Sequence, residues 1–419
     1  MPVAARRAVQ QGRVAMLYLA YQAQSDLLNP ARMLAQSALA AIGARAMSGQ
    51  PVDWRATAAA YEMVTRAGLT HERPPYHIES VREGNRDVPV TEEVVLTLPF
   101  GSLLRFRKDS DTPQAKVLVV APMSGHFATL LRNTVATLLR DHDVYITDWH
   151  NARDVSLEAG PFGYDDYVDT LIRFVETLGA DTHIVAVCQP CVQVLTAAAV
   201  MAQSGSPFQP RSMTLMAGPV DTRINPTTVN KLATDKPIEW FRRNLIATVP
   251  SRFPGGGRKV YPGFVQLGAF VAMNMQRHVN AHIDMFLHLA TGETEEAQKI
   301  KSFYDEYFAV LDLPAEFYLE TVQWIFQEAR LAARTLTYRG EPVDCRAIRR
   351  TALLTVEGER DDICSLGQTS AAHDLCSGLK PFRKRHHMQA GVGHYGVFSG
   401  RKWEGQIYPI VRNMILANS

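Results

Sequence analysis

The sequence predicts an α/β protein: a parallel-dominated sheet covered by helices, with a helical extension before it and a mostly helical segment inserted within it. Three observations carry that prediction. Four apolar runs, "KVLVVAPM" (Lys116–Met123), "DVYITDW" (Asp143–Trp149), "HIVAVC" (His183–Cys188) and "SMTLMAG" (Ser212–Gly218), alternate with helical patterns. Continuous runs of this kind, rather than alternating ones, belong to strands buried on both faces. A fifth run, "TALLTVEGERDD" (Thr351–Asp362), resumes the pattern after a long helical and loop-rich stretch, which therefore reads as an insertion. Lastly, the third strand ends at Cys188 and passes at once, through Pro190, into an alanine-rich helix.

Taken in order, residues 1–75 are alanine-rich and predict helices, with breaks at Pro30 and at "SGQP" (Ser48–Pro51). Arg6, Arg7 and Arg13 precede any acid, but the short run "VAMLYLAY" lacks a cleavage site. Apolar residues recurring through Leu27, Leu28, Met33 and Leu34 favour an amphipathic helix over a targeting peptide. Residues 76–223 hold the first part of the sheet, opening with "EEVVLTLPFGSLLRFRKD", two strands joined at a Pro-Phe-Gly turn. Residues 224–342 form the inserted cap, and residues 343–419 complete the sheet, with "FRKRHHMQ" as its last edge strand. Within the cap, "RFPGGGRKVYPGF" (Arg252–Phe264) is too rich in glycine and proline for a helix and predicts a mobile flap partly covering Cys188.

Composition narrows the function classes. The 419 residues are 46% hydrophobic and 21% charged, ample for a large core, and the net charge of +2 argues against a nucleic-acid partner. No run approaches the ~18 apolar residues of a membrane span. Five scattered cysteines make no disulfide framework and suggest a reducing, cytoplasmic setting.

In such sheets ligands gather beyond the carboxyl ends of the strands. Cys188 stands there, where an α/β-hydrolase places its nucleophile elbow, although Ala186-Val187-Cys188-Gln189-Pro190 departs from G-x-S-x-G. Alanine is small enough for that turn, and proline suits the first turn of a helix. The plainer alternative is a buried cysteine packing as a small hydrophobe. A nucleophile needs an acid and a base in the order nucleophile, acid, histidine; Asp361 (or its neighbour Asp362) and His394 follow in that order. His386 and His387 lie in the basic edge strand and are poorer bases. The oxyanion hole would use the Gln189 backbone N–H and one from the loop "PMSGHF", for which Ser124 is the natural donor. Trp149, ending the second strand, and Tyr395, beside His394, are expected to bind substrate.

Three other patterns compete. "GVGHYG" (Gly391–Gly396) has dinucleotide-type spacing but no βαβ unit and no following acid. "CQPC" (Cys188–Cys191) could be a redox dithiol, but no second C-x-x-C completes a metal site. His278 and His282 lack a third ligand and read as cap surface.

Together "VAVCQP", "TVEGERDDI", "GHYGVFSG", "YITDWHNARDV" and "LDLPAEFYLETV" resemble the intracellular polyhydroxyalkanoate (poly-3-hydroxybutyrate) depolymerases along nearly the whole chain. The resemblance implies an α/β-hydrolase fold related to the polyester synthases, with Cys188 as nucleophile, Asp361 as acid and His394 as base. It implies hydrolysis of storage polyester at cytoplasmic granules, without metal or cofactor. Cys191 stands outside the family's catalytic set, and its closeness to Cys188 leaves a disulfide open. A synthase-like acyltransferase, a C-x-x-C redox protein and a silent granule-coat protein are the alternatives; a homodimer, the monomer length and the acyl acceptor stay open.

Overall fold

Among the described residues fourteen strands arrange the chain, and the middle strands of the large sheet are buried. A computed structural model describes residues 3–47 and 54–419. The large sheet comprises β1 (Ser80–Glu83), β2 (Arg86–Leu98), β3 (Gly101–Lys108), β4 (Lys116–Val120), β5 (Asp143–Trp149), β6 (Thr182–Val187) and β7 (Ser212–Met216). Outside it lie β8 (Ala247–Thr248), β9 (Lys259–Tyr261), β10 (Leu313–Pro314), β11 (Thr337–Tyr338) and β12 (Glu341–Pro342), before β13 (Ala352–Gly358) and β14 (Lys384–Gln389) return to it. Its order is β1-β2-β3-β5-β4-β6-β7-β13-β14. From β5 to β14 every neighbouring pair is parallel, whereas β1, β2 and β3 form an antiparallel meander at one edge. This is the α/β-hydrolase fold the sequence predicts. The chain steps from β4 outward to β5, then crosses back to β6 on the other side of β4, so the topological switch lies between β4 and β6.

The helices are α1 (Val3–Met47), α2 (Arg55–Thr65), α3 (Arg132–Leu138), α4 (Tyr164–Leu178) and α5 (Cys191–Gln203), then α6 (Thr228–Thr234), α7 (Ile238–Leu245), α8 (Gly263–Met273), α9 (Met275–Thr291), α10 (Thr294–Tyr307) and α11 (Ala315–Glu320). A last helix spans Tyr408–Leu416. β4, β6, β7 and β13 are buried almost throughout, as sandwiching between helices demands.

Two expectations about the N-terminal part change. Pro30 does not break the helix: α1 runs through it. The proline removes the donor for the Asp26 carbonyl, but residues 26–31 lie mostly exposed, where water can take its place. Leu27, Leu28, Met33 and Leu34 are exposed, so they are not the buried face. Tyr18 and Ala35 are, and the Tyr18 hydroxyl donates to buried Asp312 at 2.6 Å. Tyr21 stacks on Phe264 at 4.0 Å, and Arg252 pairs with Asp26. The break expected at Ser48–Pro51 lies outside the described residues.

Arg252–Phe264 is not a loose flap. It turns the β8–β9 hairpin over a buried guanidinium: Arg258 donates to the carbonyls of Val155, Ser156 and Gly160. Gly255 donates to the Arg153 carbonyl, and Phe253 packs against the Arg153 and Arg252 guanidinium groups. Tyr261 is buried in a 3.8 Å stack with Tyr318. Arginine and aromatics partnered far along the chain override the local glycine and proline signal.

Candidate active site

β6 is six residues long and buried throughout, so its end is fixed by the sheet. The chain then turns into α5 within three residues, which forces Cys188 to φ +66°. A non-glycine residue there is strained and is held only by its surroundings. The Cys188 N–H bonds the Met216 carbonyl at 2.8 Å, and its carbonyl accepts from Cys191 N–H. Pro190 takes φ −71°, its natural value, as the cap of α5. Cys188 itself is half-buried.

Cys191 has a different environment. It is fully buried, its thiol directed at the carbonyls of Ala186 and Met216. Burial pushes its pKa well above the usual thiol value. A methyl at Gly218 would lie 2.2 Å from the Cys191 Cβ, so the start of α5 and the end of β7 meet where only small groups fit. Cys191 is a packing residue in this geometry, and all five cysteines are free.

The acid and histidine meet beside this turn. His394 Nδ1 and Asp361 Oδ2 are 2.8 Å apart, both buried. The other oxygen of Asp361 accepts the backbone N–H groups of Ile363 and Cys364, which fixes the carboxylate. Asp362 is exposed. Gly391, at φ +68°, lets the loop before His394 fold back so that the Val392 carbonyl accepts from Arg360. Burial pulls the imidazole toward its neutral form, but the neighbouring Cys188 sulfur and the Asp361 carboxylate outweigh it and hold the His394 pKa well above the ordinary value. His386 and His387 stay on β14, bonded to Thr355 and Gln389.

Sequence reasoning missed Glu357. Buried at the end of β13, it accepts N–H bonds from Gly367, Thr369 and Ser370 and so closes the loop that follows Asp361. An acid inside an apolar strand was the one available signal.

The loop after β4 lies at the switch point beside Gln189. Among the described residues, neither the Gln189 nor the Ser124 backbone N–H has a partner, so both are available to a ligand. Gly125, at φ +96°, turns the loop so that its carbonyl accepts from Leu311. Trp149 does not line the cleft: it is 2% exposed, packed on Tyr167, its indole N–H on the Ala121 carbonyl. It props the loop rather than meeting substrate, because the strand end it occupies lies inside the core. Tyr395 is 40% exposed, its ring 6.0 Å from that of His394. His278 and His282 are not bare surface but pack on Tyr304, Tyr307 and Phe308.

Residues 217–419 match the family described as PHB de-polymerase C-terminus. The C-terminal part of the chain is thus similar to the PHB depolymerases. The matched part holds Asp361 and His394; Cys188, Gln189 and Ser124 precede it. This match and the hydrolase fold support reading the chain as an ester hydrolase. Solved structures similar to it include a putative lipase (lip1) from Acinetobacter baumannii AYE, 14% identical over 79% of this chain and 93% of that one, TM-score 0.42. Another is the α/β hydrolase GrgF from Penicillium sp. sh18, 14% identical over 79% and 99%, TM-score 0.45. A third is naproxen esterase from Bacillus subtilis, 13% identical over 79% and 92%, TM-score 0.39. At these values none speaks to chemistry. No curated protein matches the chain. Among the described residues, no helix is long and apolar enough to cross a membrane.

Proposed function

We propose that this chain hydrolyses ester bonds of storage poly(3-hydroxybutyrate) or a related polyhydroxyalkanoate through a Cys188–Asp361–His394 triad. The observation that carries the reading is the buried 2.8 Å pair of His394 and Asp361 beside a cysteine held at positive φ at the end of β6. His394 takes the Cys188 proton, and the thiolate sulfur bonds to the ester carbonyl carbon. The tetrahedral oxyanion is met by the Gln189 and Ser124 N–H groups. As the intermediate collapses, the ester C–O bond breaks, and the alkoxide leaves with the proton from His394. Water, deprotonated by His394, then attacks the thioester; the acid is released and the proton returns to the thiolate. Asp361 keeps the imidazole oriented throughout.

The polymer substrate and granule location rest on the family and on one surface. Met275, Val279, Ile283 and Leu287 recur every fourth residue along α9, each 44–53% exposed. Val279 and Ile283 line an apolar groove with Val271, Phe286 and Phe308. His278 in that groove stacks on Tyr307, which stacks on His126 in the β4 loop, so buried ring contacts link the groove to the loop beside the candidate site. Exposed apolar faces of this extent mark interaction sites, and an insoluble polyester needs one beside the chemistry. Residues 224–342, which carry α9, act as the cap in this reading.

The test is release of 3-hydroxybutyrate from amorphous granules by the purified protein and by Cys188→Ala and Cys191→Ala. Loss in Cys188→Ala alone supports the triad. Equal loss in both favours a dithiol, and polymer synthesis from acyl thioesters in place of hydrolysis favours an acyltransferase.

A further inference from the structure

Gln189 supplies a backbone N–H to the hole just described, and its side chain makes a separate contact. The carboxamide is 8% exposed, and Oε1 accepts the Met123 backbone N–H at 3.3 Å. Nε2 is buried with no partner among the described residues. The amide cannot be turned over, since Met123 N–H needs an acceptor and a second donor would face it. A buried N–H2 therefore goes unpaired while Met123 gains an acceptor. A buried unpaired donor is unfavourable, and an apolar side chain of equal length would avoid it.

That contact falls at one particular place. Upstream, Ala121 is fixed on both sides: its N–H bonds Thr147, and its carbonyl accepts from Trp149 and Tyr167. Downstream, the Gly125 carbonyl accepts from Leu311, and the His126 ring lies 3.2 Å from the Tyr307 carbonyl. Pro122, Met123 and Ser124 span the interval, and among the described residues the Gln189 amide makes the one hydrogen bond to it. It also joins the loop to the elbow.

We infer that the Gln189 side chain is a positioning residue: by holding Met123 to the elbow it sets the separation and direction of the two oxyanion donors, Gln189 N–H and Ser124 N–H. The inference rests on the proposed thiol mechanism. The arrangement matters because hole donors act only at the short distances the oxyanion will require.

The test is Gln189→Met, equal in length with only a weak thioether acceptor, and Gln189→Leu, which has none, assayed on p-nitrophenyl butyrate and by iodoacetamide. Alkylation of Cys188 develops no oxyanion, so it reports on the thiol alone. The expected result for both variants is a kcat lowered about 10-fold or more, against about 10²–10³ for losing a donor outright. KM and the alkylation rate should stay close to wild type, since neither depends on stabilising an oxyanion. A kcat that is unchanged, a kcat that rises (the mark of an amide blocking the hole), or an alkylation rate that falls in step with kcat would overturn it. Cys188→Ala is run in parallel. If that variant stays active, the thiol mechanism itself fails; if it is dead while Gln189→Met is fully active, only the positioning role fails.

Discussion

At residue scale, Asp361 is held through both oxygens, one taking two backbone N–H groups and the other facing His394. Asparagine can keep the N–H bonds from Ile363 and Cys364 on its own oxygen while its N–H2 faces His394 and imposes the wrong tautomer. Asp361→Asn should therefore fold normally and lose about 10⁴ in kcat, the scale of that change in a serine triad. Asp362→Asn, at an exposed position, should keep near wild-type kcat; the reverse pattern would move the acid by one residue. The pH dependence has a definite sign. An unfolded histidine titrates near 6.5 (about), and the folded value of His394 is raised by Cys188 and Asp361 against burial. Its contribution to stability is fully present below the unfolded value and is lost as pH rises through the folded one. The melting-temperature advantage of wild type over His394→Asn should be largest in mildly acid solution and shrink toward alkaline pH. A gap that widens with pH would contradict the paired histidine.

At the scale of elements, the strands were readable because burial on both faces writes an unbroken apolar run, and the order Cys188, Asp361, His394 was readable because it follows chain order. What escaped depends on partners distant in sequence. Trp149 reads as a site residue at a strand end, yet its indole is claimed by Ala121 and Tyr167. Arg258 gives no hint in sequence that three carbonyls will bury it. Gly218 is another such residue, and it yields a test. An added methyl would meet Cys191 Cβ at 2.2 Å and the Cys188 carbonyl at 3.1 Å. Gly218→Ala should push α5 from β7, lower the melting temperature and slow Cys188 alkylation together. Undisturbed stability in Gly218→Ala would mean the α5–β7 contact is slacker than described.

At the scale of the whole molecule, the proposed centre lies at the switch point of the sheet, and α9 carries a separate exposed apolar stripe. The two should separate under mutation. Val279→Asp combined with Ile283→Asp alters exposed side chains, so stability and hydrolysis of p-nitrophenyl butyrate should stay close to wild type. Binding to amorphous polyester granules, followed by sedimentation, should fall several-fold. Equal loss on soluble ester and polymer would show that α9 serves the fold of the cap rather than the substrate. The central claim, a covalent acyl intermediate on one particular thiol, is tested most directly by intact-protein and peptide mass spectrometry. The sample is acid-quenched from the first turnovers on a 3-hydroxybutyrate oligomer. The account predicts one 3-hydroxybutyryl group, labile to hydroxylamine, on the peptide containing Cys188. An adduct on another residue, or steady turnover by Cys188→Ala, would contradict it.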